Sequence, residues 1–388
     1  MWFFRSPEIA FGEFALDHLT TIQGSKALII TDENIVKLGF ADLVKQKLAE
    51  AGIETAVFAE VEPEPCLQTA RHAAEQAHAF QPDWVIGLGG GSCMDAAKAA
   101  WFLYERPDMD LQNLSPFESL GLRAKARLVA IPTTSGTGSE VTIASVLTDT
   151  DEKRKVALGS GELVPDLAVV DPVFAMKLPP HVTADTGIDA LTHAIEGYSC
   201  SWNNDFSDGL CLKAIQLVFD YLPKAYENGA DDPVAREKMH NAATIAGLGF
   251  GNSFAALAHA LGHALGAAFH TPHGRAVGLF LPYTVEFGAS AGEGRYAEIA
   301  RFLGLPASDD QEGAASLVDA IRTLTRRVGL PATVRELGIS QEAYEQAMPA
   351  LIDNTETDTQ MVSSCRIPDT HEVEALFRYA YEGKPVDF

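Results

Sequence analysis

The chain has 388 residues, 47% hydrophobic and 21% charged, which allows two or three domains with substantial cores. Acidic residues outnumber basic ones by 53 to 29, and the resulting net charge of −24 excludes nucleic acid and anionic membrane as natural partners. No run approaches the roughly 18 apolar residues of a membrane span, and the opening MWFFRSPEIAFGEF, interrupted by Arg5 and Pro7, does not read as a signal peptide.

Residues 1–180 alternate short apolar runs with helical patterns, the mark of βαβ units and a parallel sheet. Trp2, Phe3 and Phe4 read as core or as a subunit interface. KALIIT at 26–31 reads as a buried strand and 35–51 as a helix. A strand at 54–58 and a helix at 68–80 follow. WVIGL at 84–88 runs straight into Gly89-Gly90-Gly91-Ser92 and a helix over 94–104. RLVAI at 127–131 precedes the loop PTTSGTGSE, 146–158 reads as a hairpin around TDTDEK, and 167–170 is a last strand. Five scattered cysteines without CxxC spacing fit a reduced, cytoplasmic protein.

Past Pro179-Pro180 the texture changes to long helical periods at 208–221, 233–250, 254–269, 292–302, 313–328 and 340–351. Residues 277–281 read either as a strand or as more helix. The expectation is a Rossmann-like α/β domain with a parallel sheet over 1–180 and an all-helical domain over 181–388.

Gly89, Gly90, Gly91 and Ser92 lie between a strand and a helix, where backbone N–H groups and the helix dipole favour an anion such as a pyrophosphate. The run is not GxGxxG, and a plain tight turn is the competing reading. Asp95 and Lys98 open the next helix; Asp95 reads as a charge placed near the N-terminus and Lys98 as a solvated face residue. Asp32, just past the first buried strand, reads either as a helix cap or as a ribose acceptor that favours NAD(H) over NADP(H). Five hydroxyls in PTTSGTGSE, Thr133, Thr134 and Thr137 among them, point to ligand contact in the same topological position.

TADTGIDALTHAIEGYSC places Asp189 and His193 on one helix face, four residues apart, and ALAHALGHALGAAFHTPHG repeats that spacing with His259 and His263. Several imidazoles among Ala, Leu and Gly need a partner that satisfies them, and a divalent metal does so. One carboxylate with imidazoles and no thiolate suits Fe2+ or Zn2+. Spacing leaves open which of His259, His263 and His270 ligates.

GGGSCMDAAKA, IPTTSGTGSEVT, TADTGIDALTHAIEGY and HALGHALGAAFHTPHG together resemble the iron-containing alcohol dehydrogenases. The resemblance implies an α/β nucleotide-binding domain and a helical metal domain, as in dehydroquinate synthase, with the site between them. It implies Fe2+, sometimes replaced by Zn2+, and a homodimer. Carried over, the metal ligands are Asp189, His193, His259 and His273, with His263 facing substrate as the proton relay. Gly89, Gly90, Gly91, Ser92 and Asp95 form the phosphate cradle, Thr133, Thr134 and Thr137 line the cofactor site, Lys155 reaches the ribose, and Asp32 goes with NAD. The implied reaction is hydride transfer between a primary alcohol or aldehyde and NAD(H). Related readings are a maleylacetate reductase or a hydroxyacid–oxoacid transhydrogenase, which need a cation near the metal, and a dehydroquinate-synthase-type lyase, which needs a basic pocket. This chain departs from many relatives at Pro63-Glu64-Pro65-Cys66 and carries an extra His270.

Overall fold

Alternation along three central strands decides the first half of the molecule. The computed structural model describes residues 3–111, 119–150 and 154–388, except the side chains at 154, 155 and 157; Trp2 therefore lies outside it. The strands are β1 Glu8–Phe11, β2 Lys26–Ile30, β3 Glu54–Phe58, β4 Trp84–Gly89, β5 Arg127–Pro132, β6 Ala144–Asp149, β7 Arg154–Gly159 and β8 Leu167–Val170. Six of them form a parallel sheet in the order β1-β8-β5-β4-β2-β3. Leu28, Ile30, Val85 and Leu128 face helices α3 Leu67–Phe80 and α4 Gly91–Glu105, introduced after α1 Glu33–Lys37 and α2 Phe40–Glu50. Their neighbours Ala27, Ile29, Ile86 and Val129 face Val44 and Leu48 of α2 on the other side. Both faces are covered, which is why these strands are continuously apolar. Each fully buried aliphatic side chain contributes about 1.5–3 kcal/mol.

The expected hairpin is present as the antiparallel pair β6–β7, with its turn residues 151–153 outside the described residues. Strand β1, which the aromatic-rich opening concealed, pairs with β8 at the sheet edge. Its side chains are exposed or half-buried, so it carries none of the apolar signal of a central strand.

The chain divides into two compact units, Met1–Lys177 and Leu178–Phe388, against the sequence boundary at 180/181. Pro180 is the first residue of a helix, where the missing N–H costs no hydrogen bond. The second unit contains helices α5 Pro180–Ser199, α6 Asp205–Asn228, α7 Pro233–Phe250, α8 Leu257–Phe269, α9 His273–Ser290, α10 Tyr296–Phe302, α11 Asp310–Arg327, α12 Gln341–Thr357 and α13 Thr370–Glu382. Residues 277–281 are helical, inside α9, and all five are buried. One core gathers α5, α6, α7 and α11, and another gathers α8, α9, α12 and α13. Among the described residues, no helix is long and apolar enough to cross a membrane.

Candidate active site

Strands β2 and β4 are neighbours, yet the chain leaves β2 toward β3 and leaves β4 toward β5 on the opposite side. Such a reversal opens a crevice at the carboxyl ends of the strands, where open α/β sheets receive nucleotides. Gly89 there has φ +149°, and a Cβ would lie 2.5 Å from Cys93 Sγ. Gly90 caps α4 with no side-chain bond, which leaves first-turn N–H groups for a ligand. Thr134 and Thr137 pack over this turn, their methyls 3.6 and 3.0 Å from where Cβ atoms of Gly90 and Gly91 would stand. Thr133 is buried, and its N–H donates to Gly89 O at 2.9 Å.

Other expected cofactor residues have structural partners. Asp32 Oδ1 accepts from the N–H groups of Asn34 and Ile35 at 2.7 and 3.0 Å, making it the cap of α1, while Oδ2 accepts the Cys93 thiol at 3.3 Å. Ser92 Oγ donates to Pro63 O at 2.5 Å, which ties the cradle to the Pro63–Cys66 stretch. The Asp95 carboxylate accepts from Ser139 Oγ and Val146 N at 2.7 and 3.0 Å, anchoring the hydroxyl loop. Lys155 stands opposite Thr148 in the hairpin, its side chain outside the described residues. Lys98 is not a solvated residue. It is 1% exposed and donates to Thr142 O at 2.9 Å and Ala144 O at 2.7 Å, and burial pushes it down to about 8.

In the second unit, α5 carries Asp189 and His193, α8 carries His259, and α9 begins at His273. The helices approach closely because glycines stand at their crossings. A Cβ on Gly274 would meet Asp185 O at 2.1 Å, and one on Gly262 would meet Val277 Cγ1 at 2.6 Å. The four side chains each offer one ligand atom, all within 4.8 Å of one another. Asp189 Oδ1 lies 3.8 Å from His193 Nδ1, 3.8 Å from His259 Nε2 and 3.4 Å from His273 Nε2. Tetrahedral ligands about 2.1 Å from an ion stand about 3.4 Å apart, so this spacing suits a metal better than direct hydrogen bonds.

A second observation tests the fit. Asp189 Oδ1 and His259 Nε2 are buried and accept or donate no hydrogen bond, a costly state unless an ion satisfies both. One carboxylate oxygen with three imidazole nitrogens matches Fe2+ or Zn2+. Burial alone would raise the Asp189 carboxyl, but the imidazoles of His193, His273 and His259 hold it well below the usual carboxylate range. The cluster is buried at Asp189, His193 and His259 and opens at His273, whose side chain is 44% exposed.

His263 and His270 stand outside this set. His263 Nδ1 lies 2.7 Å from Asp358 Oδ2, and its ring stacks on His273 at 5.3 Å. Burial pushes its pKa down, with Asp358 opposing. His270, at φ +54°, ends α8 by donating its N–H to Gly266 O. Sequence reasoning missed three supporting residues: Asp358, Phe250, which stacks on His193 at 4.0 Å, and Glu196, which holds His259. Only Glu196 left a signal, since 189, 193 and 196 share one helix face.

Two family models match the chain: "Iron-containing alcohol dehydrogenase" over residues 6–172, and "Fe-containing alcohol dehydrogenase family, C-terminal" over 183–381. The NADPH-dependent butanol dehydrogenase of Clostridium saccharobutylicum is 38% identical over 98% of both chains. The 1-propanol dehydrogenase of Citrobacter freundii is 35% identical over 94% of this chain and 95% of its own. The iron-containing alcohol dehydrogenase of Thermococcus thioreducens superposes with a TM-score of 0.90 at 31% identity, covering 99% of this chain and 100% of that one. Longer aldehyde-alcohol dehydrogenases match as well, and this chain spans under half of their length, 44% for that of Escherichia coli.

Proposed function

Because the chain belongs to the iron-containing alcohol dehydrogenase family, we propose that it interconverts a small primary alcohol and its aldehyde with NAD(H). Asp189, His193, His259 and His273 would hold Fe2+ or Zn2+, and Gly89 to Ser92 with Thr134 and Thr137 would cradle the cofactor phosphates. When bound, the metal would supply Lewis acidity and the nicotinamide a hydride acceptor or donor. The observation that carries this reading is the buried pair Asp189 Oδ1 and His259 Nε2, left without hydrogen bonds inside a four-donor cluster.

The chain's own groups have defined tasks. Asp358 fixes His263 through Nδ1, leaving Nε2 as the atom that takes the substrate proton and passes it to solvent. His263 is one-third exposed, which gives that proton a way out. Arg275 bonds Asp185 through two nitrogens at 2.9 and 3.1 Å. Arg275, one of the two side chains near the metal segment that could meet an anionic substrate (His270 is the other), is therefore already neutralised, which supports uncharged alcohols over maleylacetate or hydroxyacids.

Preference for NAD(H) over NADP(H) rests on Asp32 at the crevice; the similar butanol dehydrogenase is NADPH-dependent. Homodimerisation is supported by the edge strand β1, beside which Phe3, Phe11 and Phe14 are each more than two-thirds exposed. Free thiols at all five cysteines support a reducing compartment such as the cytoplasm. The test is metal analysis of protein purified without oxygen, with nicotinamide absorbance followed on a panel of alcohols and aldehydes. Reduced nicotinamide formed only by metal-loaded protein is expected; no turnover of any alcohol by loaded protein refutes the reading.

A further inference from the structure

Three donors converge on the Glu196 carboxylate, and all come from the start of α8. Glu196 Oε2 accepts from Ala256 N at 2.9 Å and contacts His259 Nδ1 at 2.5 Å, and Oε1 accepts from Ala258 N at 2.5 Å. The residue is 3% exposed. A buried carboxylate is costly unless its oxygens are satisfied, and here both are. Helix α8 in turn has no side-chain capping bond of its own at its N-cap, Ala256. Glu196 therefore supplies from α5 the cap that α8 lacks.

The same bond decides the chemistry of His259. A carboxylate can only accept, so the proton of a neutral imidazole resides on Nδ1. The other nitrogen, Nε2, then carries the lone pair, and it is this atom that faces Asp189 Oδ1 at 3.8 Å with no hydrogen bond. Glu196 also lies on the helix that bears Asp189 and His193, two turns beyond the first and one beyond the second on the same face. One side chain thus links the helix holding two candidate ligands to the helix holding the third.

From this geometry we infer that Glu196 is a positioning residue of the metal centre, fixing His259 as the Nδ1–H tautomer with Nε2 aimed into the ligand cluster. The inference rests on the metal reading above. A glutamine in its place cannot serve three donors: whichever way the amide turns, its NH2 meets an N–H of α8 or the imidazole.

Co2+ is the probe, measured by chelator competition and by its visible d–d absorption on metal-depleted protein. Glu196→Gln should weaken Co2+ binding 10- to 100-fold and alter the d–d bands, beyond anything accounted for by melting of the metal-free protein. Wild-type affinity and bands in Glu196→Gln would overturn the inference, as would an affinity loss that merely follows lost metal-free stability with unchanged bands. Wild-type protein with 15N-labelled histidine and Zn2+ gives a second measurement that no folding failure affects. The proton on Nδ1 of His259 is expected there, and Nδ1 as the metal-bound atom overturns the assignment. Asp189→Asn separates the two levels. If it binds Co2+ like wild type, the metal reading itself fails; if it loses Co2+ while Glu196→Gln does not, only the role of Glu196 falls.

Discussion

Adding one methyl group at Gly274 should damage the proposed metal centre without replacing a ligand. A Cβ there would stand 2.1 Å from the carbonyl oxygen of Asp185, 2.8 Å from its carbon and 3.0 Å from Asp189 Cβ. Carbon and oxygen normally approach to about 3.3 Å, so α9 must retreat from α5 by roughly 1 Å. The obstacle is helix backbone, which cannot swing aside as a side-chain tip would. Overpacking of this kind costs about 1–3 kcal/mol, and the upper end applies here. At roughly 2–4 °C per kcal/mol for a unit of this size, the metal-free protein should melt on the order of 6–12 °C lower. The shift also separates His273 from Asp189, now 3.4 Å apart, and metal–ligand distances tolerate only about 0.2 Å. Co2+ affinity should fall at least tenfold. The control is Gly266→Ala in α8, where a Cβ would meet nothing nearer than Thr271 O at 3.4 Å. That change should be neutral or stabilise by up to about 1 kcal/mol through helix propensity. Calorimetry and chelator competition on both variants decide it: wild-type stability and metal affinity in Gly274→Ala would show that the α5–α9 contact does not set the ligand geometry.

Other expectations follow from single contacts. Asp32→Asn keeps the oxygen that caps α1 and removes the charge; its ratio of kcat/KM for NADH over NADPH should drop at least tenfold, and an unchanged ratio would remove Asp32 from cofactor selection. Lys98 is pushed by burial from 10.5 down to about 8, with Asp95 and Glu140 opposing. Its depressed folded value means the associated stability is complete above pH 10.5 and lost as pH falls through about 8. The denaturation free energy of wild type relative to Lys98→Met should therefore rise by about 3 kcal/mol between those pH values, and a flat difference would contradict the burial argument. Phe11, on the edge strand and 70% exposed, should tolerate Glu in the folded monomer. If the proposed dimer pairs through β1, light scattering on Phe11→Glu should show half the wild-type mass, and an unchanged mass would remove β1 from the interface.

The sequence alone determined what depends on near neighbours. Continuous apolar runs marked β2, β4 and β5 because a sheet covered on both faces buries every position past the first residue of these strands. Spacing of four placed Asp189 and His193 on one face, and the surrounding motifs carried the family. Tertiary structure decided what depends on distant partners. Lys98 read as solvated because carbonyls 44 and 46 residues away make its burial tolerable. Edge strand β1 was hidden because one covered face is not needed where side chains stay in solvent. Spacing could not choose among His259, His263 and His270; the fold distinguishes them, since His259 meets Asp189 and Glu196 from another helix while Asp358 holds His263 and His270 ends α8. Glu196 stood in view on the ligand face, but its task is set by donors 60 to 63 residues further on. Helical periodicity says which side chains share a face, and only packing says what that face meets.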